Sequence, residues 1–149
     1  MVYKAMEDVR VLVVDNDIDS RYLWTVLLGD YGFNVTAFAS IKDALAFLND
    51  FHPDILICEI RFLGESVELL IERVKHIAAG HGRTIPIMVT STYSFENLAQ
   101  YFQHLMTEIE VYLLKPIDID DFIDMALKLL PLPENSIYLN PIEARKVAC

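Results

Sequence analysis

The chain has 149 residues, 54% of them hydrophobic, and a formal net charge of -10, which suits one domain with a short extension and argues against direct binding of nucleic acid, since phosphate backbones call for clustered Lys and Arg. Its apolar residues fall in short runs broken by charges, none near the roughly 20 consecutive residues that span a bilayer, so no membrane partner is expected. The apolar run after Lys4, Glu7, Asp8 and Arg10 is too short for the core of a signal peptide, and a cytoplasmic location is the expectation.

Val9 to Val14 is the first predicted strand, closed by Asp15, Asn16 and Asp17. A helix follows in which Ile18, Tyr22, Val26 and Leu27 recur at helical spacing, with Gly29 and Gly32 to stop it. Phe33 to Phe38 reads as a strand. Ser40 then caps a helix whose apolar stripe is Ala44, Leu45 and Leu48, with Asp43 in the first turn. Ile55 to Cys58, inside the stretch PDILICEI, shows no polar alternation, suits a strand covered on both faces, and ends on Glu59. The loop Arg61 to Glu65 leads to a helix carrying Val67, Leu70, Ile71, Val74 and Ile77, ended by Gly80 and Gly82. Thr84 to Val89 is strand-like, with Thr90, Ser91 and Thr92 at its polar end. Phe95, Leu98, Phe102 and Leu105 mark a fourth helix, and Glu110 to Leu114 a last strand stopped by Lys115-Pro116. Asp118 caps a last helix through Leu130, which Pro131 and Pro133 end.

Strands and helices alternating in this way predict an α/β fold: a five-stranded parallel sheet of order 2-1-3-4-5 with five helices on both faces, flavodoxin-like. The domain is expected over 9–130, with 131–149 as a C-terminal extension or linker. In such sheets ligands and chemistry collect beyond the carboxyl ends of the strands, where Asp15, Glu59, Thr90 and Lys115 stand. Cys58 reads as a small buried hydrophobe with no disulfide to Cys149, and His52, His76, His81 and His104 lack zinc-ligand spacing. Each site residue also has a plainer reading. Glu59 makes a structural ion pair with Lys115, Asp15 caps the following loop, Thr90 and Ser91 satisfy main-chain groups, and Tyr112 is a half-buried sheet aromatic.

Four stretches in order, VLVVDND, PDILICEI, PIMVTS and YLLKP, resemble the receiver domain of bacterial two-component response regulators across Val9 to Leu130. The resemblance implies that an aspartate at the Glu59 position accepts a phosphoryl group from a histidine kinase. It implies Mg²⁺ held by an acidic pair, the acceptor and a nearby carbonyl, and a hydroxyl residue and a lysine that bind the phosphoryl oxygens. By position, Asp15 and Asn16, with Asp17 beside them, match the acidic pocket, Thr90 the hydroxyl, Lys115 the lysine, Tyr112 the aromatic switch and the Arg61 carbonyl the main-chain metal ligand.

Two departures matter. Glu59 is longer than aspartate by about one carbon-carbon bond, ~1.5 Å, and in-line phosphoryl transfer depends on positioning. Asn16 removes a negative charge from the pair, which weakens Mg²⁺ binding. The expectation is a pseudo-receiver without catalytic residues or a required cofactor, with at most weak Mg²⁺ binding, acting by contact with a sensor kinase, an output domain or another regulator. Met125 and Leu129 lie off the stripe of Phe122, Ile123, Ala126, Leu127 and Leu130, which suggests a homodimer through the fourth helix, last strand and last helix. The alternative is a haloacid dehalogenase-like phosphatase with Asp15 as nucleophile and Asp17 as acid/base, using Thr90, Lys115, Asp120 and Asp121 in later roles.

Overall fold

Alternate side chains along the strands part into two cores, one on each face of a single sheet. The computed structural model describes residues 6–94, 96–97 and 103–130. Strands β1 (Arg10–Val14), β2 (Asn34–Phe38), β3 (Ile55–Cys58), β4 (Ile87–Ser91) and β5 (Val111–Leu114) pair in parallel in the order β2-β1-β3-β4-β5. The helices whose bounds are described are α1 (Ile18–Asp30), α2 (Ile41–Phe47), α3 (Val67–Gly80) and α4 (Ile119–Leu129), and Glu96 and Asn97 are helical between β4 and β5. Leu12, Val14, Leu56, Cys58, Ile87 and Val89 face α2 and α3. Val11, Val13, Ile55, Ile57 and Met88 face Trp24 and Leu28 of α1 and Phe122, Ile123 and Ala126 of α4. All four residues of β3 are buried, as a strand covered on both faces requires.

The helix starts follow local chemistry. Asp17 accepts from the Ser20 amide, Ser40 from the Asp43 amide and Asp118 from the Asp121 amide, each satisfying a donor that the first turn leaves free. Glu65 adds a longer-range cap to α2, accepting from Ile41 N at 3.1 Å and Lys42 N at 2.8 Å. Beyond α1 the chain turns at Gly32, whose φ of 92° is open to glycine. The Lys115-Pro116 bond is cis.

Several elements depart from expectation. In α1, Ile18 and Tyr22 are 68% and 72% exposed and Val26 is exposed as well, while Trp24 and Leu28 are buried. This helix is apolar on more than one side, so spacing alone does not select the face that meets the sheet. Strand β4 begins at Ile87 and runs through Ser91, because Pro86 has no amide for the ladder and Thr90 and Ser91 pair in register with Leu113 and Leu114 of β5. Most of the predicted fourth helix, including Phe95, Leu98, Tyr101 and Phe102, lies outside the described residues. Gln103–Glu108 form a 3₁₀ segment with Leu105 buried. Met125 and Leu129 are partly buried, packed against the core that holds Phe122. The extension 131–149 lies outside the described residues.

Candidate functional site: two buried carboxylates around one lysine

The parallel sheet brings the carboxyl ends of β1, β3 and β5 to one side, and a main-chain bond ties the residue after each strand to a neighbouring strand. Asp15 N donates to Phe38 O at 3.1 Å, Glu59 N to Val14 O at 2.9 Å and Lys115 N to Ser91 O at 2.6 Å. Each strand therefore delivers its next residue to the same side of the domain. Asp15 and Glu59 are buried, and the Lys115 side chain is 14% exposed.

Lys115 Nζ lies 2.9 Å from Asp15 Oδ2 and 3.1 Å from Glu59 Oε2. The other oxygens are also engaged. Asp15 Oδ1 accepts from Asp17 N at 2.9 Å, and Glu59 Oε1 accepts from Ile60 N at 2.9 Å and Arg61 N at 3.3 Å. Burial raises the pKa of Asp15 despite the bonds it accepts from Lys115 and the Asp17 amide. Burial opposes the charge of Lys115 in turn, but its hydrogen bonds and attraction to Asp15 and Glu59 prevail and raise its pKa. One cation thus serves two low-dielectric carboxylates.

The remaining predicted residues surround this cluster. Asn16 is exposed, and its Nδ2 donates to the Arg61 carbonyl at 2.9 Å. The Arg61 guanidinium lies over the Tyr93 ring, 4.9 Å from its centroid. Thr90 Oγ1 is buried and has no hydrogen-bond partner among the described residues. The Tyr112 hydroxyl donates to the Tyr93 carbonyl, and burial raises the pKa of its phenol. Ser91 Oγ accepts from Tyr93 N at 3.2 Å, so Ser91 and Tyr112 both hold the segment after β4.

Asp17 serves as the cap of α1, bonded to the Ser20 hydroxyl at 2.7 Å, and that bond lowers its pKa. In the phosphatase alternative Asp17 would be the acid/base, but here its Oδ2 caps α1, and Asp120 and Asp121, assigned later roles, sit in the first turn of α4. Sequence reasoning did not anticipate the Asn16 to Arg61 bond or the Glu65 cap on α2. Both join residues distant in the chain, and neither has a local signal beyond the presence of a polar side chain in a loop. Among the described residues no cluster of three or more His, Cys, Asp or Glu is arranged to hold a metal, and no helix is long and apolar enough to cross a membrane.

The comparisons with known proteins agree with this geometry at the level of fold and family. The chain is 30% identical over 115 residues to an uncharacterised 14.6 kDa protein of Leptolyngbya boryana, covering 77% of this chain and 85% of that one. It is 27% identical over 115 residues to the transcriptional regulatory protein ZraR of Escherichia coli, and spans 25% of ZraR's length. The chemotaxis protein CheY4 of Vibrio cholerae matches with a TM-score of 0.69 at 23% identity, over 85% of this chain and 100% of that one. The response regulator TrrA of Thermotoga maritima, solved in complex with Mg²⁺-BeF, matches with a TM-score of 0.65 at 22% identity, over 82% of this chain and 99% of that one. The model of the response regulator receiver domain matches residues 11–127. By that match, over a sheet of the same strand order, the chain belongs to the response regulator receiver domain family.

Proposed function

We propose that this receiver domain signals by protein contact without ordinary aspartyl phosphorylation, with Glu59 standing where relatives carry the acceptor and supplying part of the phosphorylated state's charge. The observation that carries the reading is the 3.1 Å approach of Lys115 Nζ to Glu59 Oε2. Lys115 is one of the two groups that the resemblance assigns to phosphoryl oxygens. The other, the Thr90 hydroxyl, has no partner among the described residues. Glu59 therefore satisfies one of the two contacts. It does so with a single negative charge where a phosphoryl group carries about 1.5 to 2, so the imitation is partial.

Protein contact is supported by apolar side chains that stand exposed among the described residues. On α1 these are Ile18, Tyr22, Leu23 and Val26, and at the end of β5 and the start of α4 they are Leu114 and Ile119. A sensor kinase, an output domain or another regulator fits such a surface. A homodimer through the predicted fourth helix, β5 and α4 would use the exposed Leu114 and Ile119 beside the partly buried Met125 and Leu129.

The test is to incubate the protein with a small-molecule phosphodonor and Mg²⁺ and to measure intact mass. The expected result is an unmodified chain, alongside a Glu59→Asp variant as the comparison. A stoichiometric adduct on the native chain, stable in acid and labile in base, would refute the proposal.

A further inference from the structure

The family resemblance implies Mg²⁺ bound by Asp15, Asn16, Glu59 and the Arg61 carbonyl, and the donor set of this chain does not fit that ion. Mg²⁺ takes near-octahedral oxygen ligands and gives up its waters reluctantly, so it needs free anionic oxygens facing one point. Here all four carboxylate oxygens already accept, from three main-chain amides and from the Lys115 ammonium or its close approach. Asp15, Glu59 and Lys115 together sum to one negative charge, Asn16 adds none, and the carboxylate of Asp17 is engaged as the cap of α1.

Asn16 itself points the wrong chemistry at the site. A side-chain amide 2.9 Å from a carbonyl oxygen presents its N–H, because two acceptors at that distance would repel. The carbonyl assigned to the metal is thus bonded to a donor, and the Asn16 oxygen faces elsewhere. A divalent cation there would compete with the Asn16 amide for the Arg61 carbonyl and with the Lys115 ammonium for both carboxylates.

We propose that this pocket is held together without a divalent cation. The Asn16 amide ties the end of β1 directly to the loop after β3, a span the resemblance assigns to the metal, and Lys115 supplies the positive charge. The proposal goes beyond the signalling function and holds whether or not Glu59 is ever modified.

The test uses Mn²⁺ as the probe for Mg²⁺, with free Mn²⁺ followed by electron paramagnetic resonance, in the native chain and in Asn16→Asp. The native chain is expected to leave the free-ion signal unchanged. Asn16→Asp, which replaces the donor with an anionic ligand, is expected to deplete the free-ion signal at concentrations where the native chain does not, a gain of at least about tenfold, the scale of changes beside metal ligands. In Asn16→Ala, which loses the tie without gaining charge, amide hydrogen exchange over 61–66 is expected to quicken, and MgCl₂ is expected not to slow it. Native binding of Mn²⁺ as tight as that of Asn16→Asp would overturn the proposal. So would a native melting temperature raised by MgCl₂ above that in NaCl of equal ionic strength, or unchanged exchange over 61–66 in Asn16→Ala.

Discussion

Lys115 reaches Glu59 across an intervening strand, with Nζ 3.1 Å from Oε2 although β4 separates β5 from β3. The same ammonium continues to Asp15 at the end of β1, so one side chain ties three strand ends together. Removing it strands two buried carboxylates. Lys115→Met is expected to cost about 3 to 5 kcal/mol in urea unfolding at neutral pH, the usual consequence of breaking a buried ion pair from one side. Adding Glu59→Gln to that variant should recover part of the loss, because one of the two uncompensated charges is then gone.

Alkaline pH probes the same edge. The folded pKa of Lys115 lies above its ordinary 10.5 and that of Tyr112 above its ordinary 10.0. In both cases the folded state keeps the proton longer than the unfolded chain. The contribution to stability is therefore complete below the unfolded values and is lost as pH rises through the folded ones. Thermal melts are expected to show a melting temperature that declines above about pH 10, the region in which Tyr and Lys titrate. The decline should be shallower in Tyr112→Phe, and an identical slope in that variant would contradict this assignment.

The face of α1 that carries the core can be separated from the face that does not. Trp24 stacks on Phe122 with ring centroids 3.9 Å apart and planes 15° from parallel. Phe122→Ala is expected to destabilise by about 3 to 5 kcal/mol through lost burial and the cavity left behind. The emission of Trp24, the chain's single tryptophan, should shift to the red as water reaches its ring. Tyr22→Ala, two residues earlier on the exposed face, is expected to change stability by no more than about 0.5 kcal/mol.

Glu65 couples the loop after β3 to α2 through its bonds to Ile41 N and Lys42 N. Glu65→Ala is expected to cost about 1 kcal/mol, the scale of a lost helix cap. Its signature should be local. Hydrogen exchange at the amides of Ile41 and Lys42 should quicken, while the fluorescence of Trp24 on the opposite face of the sheet stays unchanged.

Much of the architecture was legible in the residues, because the signals involved are local. Unbroken apolar runs require strands covered on both faces, Ser40 and Asp118 announce helix starts, and an acid or lysine directly after such a run must stand at a strand end. From alternation alone the strand order followed, and with it the convergence of Asp15, Glu59 and Lys115 on one edge. At the start of β4 two local signals compete. Pro86 cuts the start of β4 inside the apolar run Ile85 to Val89.

Tertiary structure alone decided which side of α1 is buried. Both sides offer apolar residues, and what favours Trp24 over Tyr22 is the Phe122 ring waiting on α4, almost a hundred positions away in the chain. It also decided that Asn16 turns its amide N–H to Arg61 and that Glu65 caps a helix it follows in sequence. A hydrogen bond is made with whatever partner the folded backbone brings within 3 Å or so, and for a polar side chain in a loop no pattern of neighbours specifies that partner in advance.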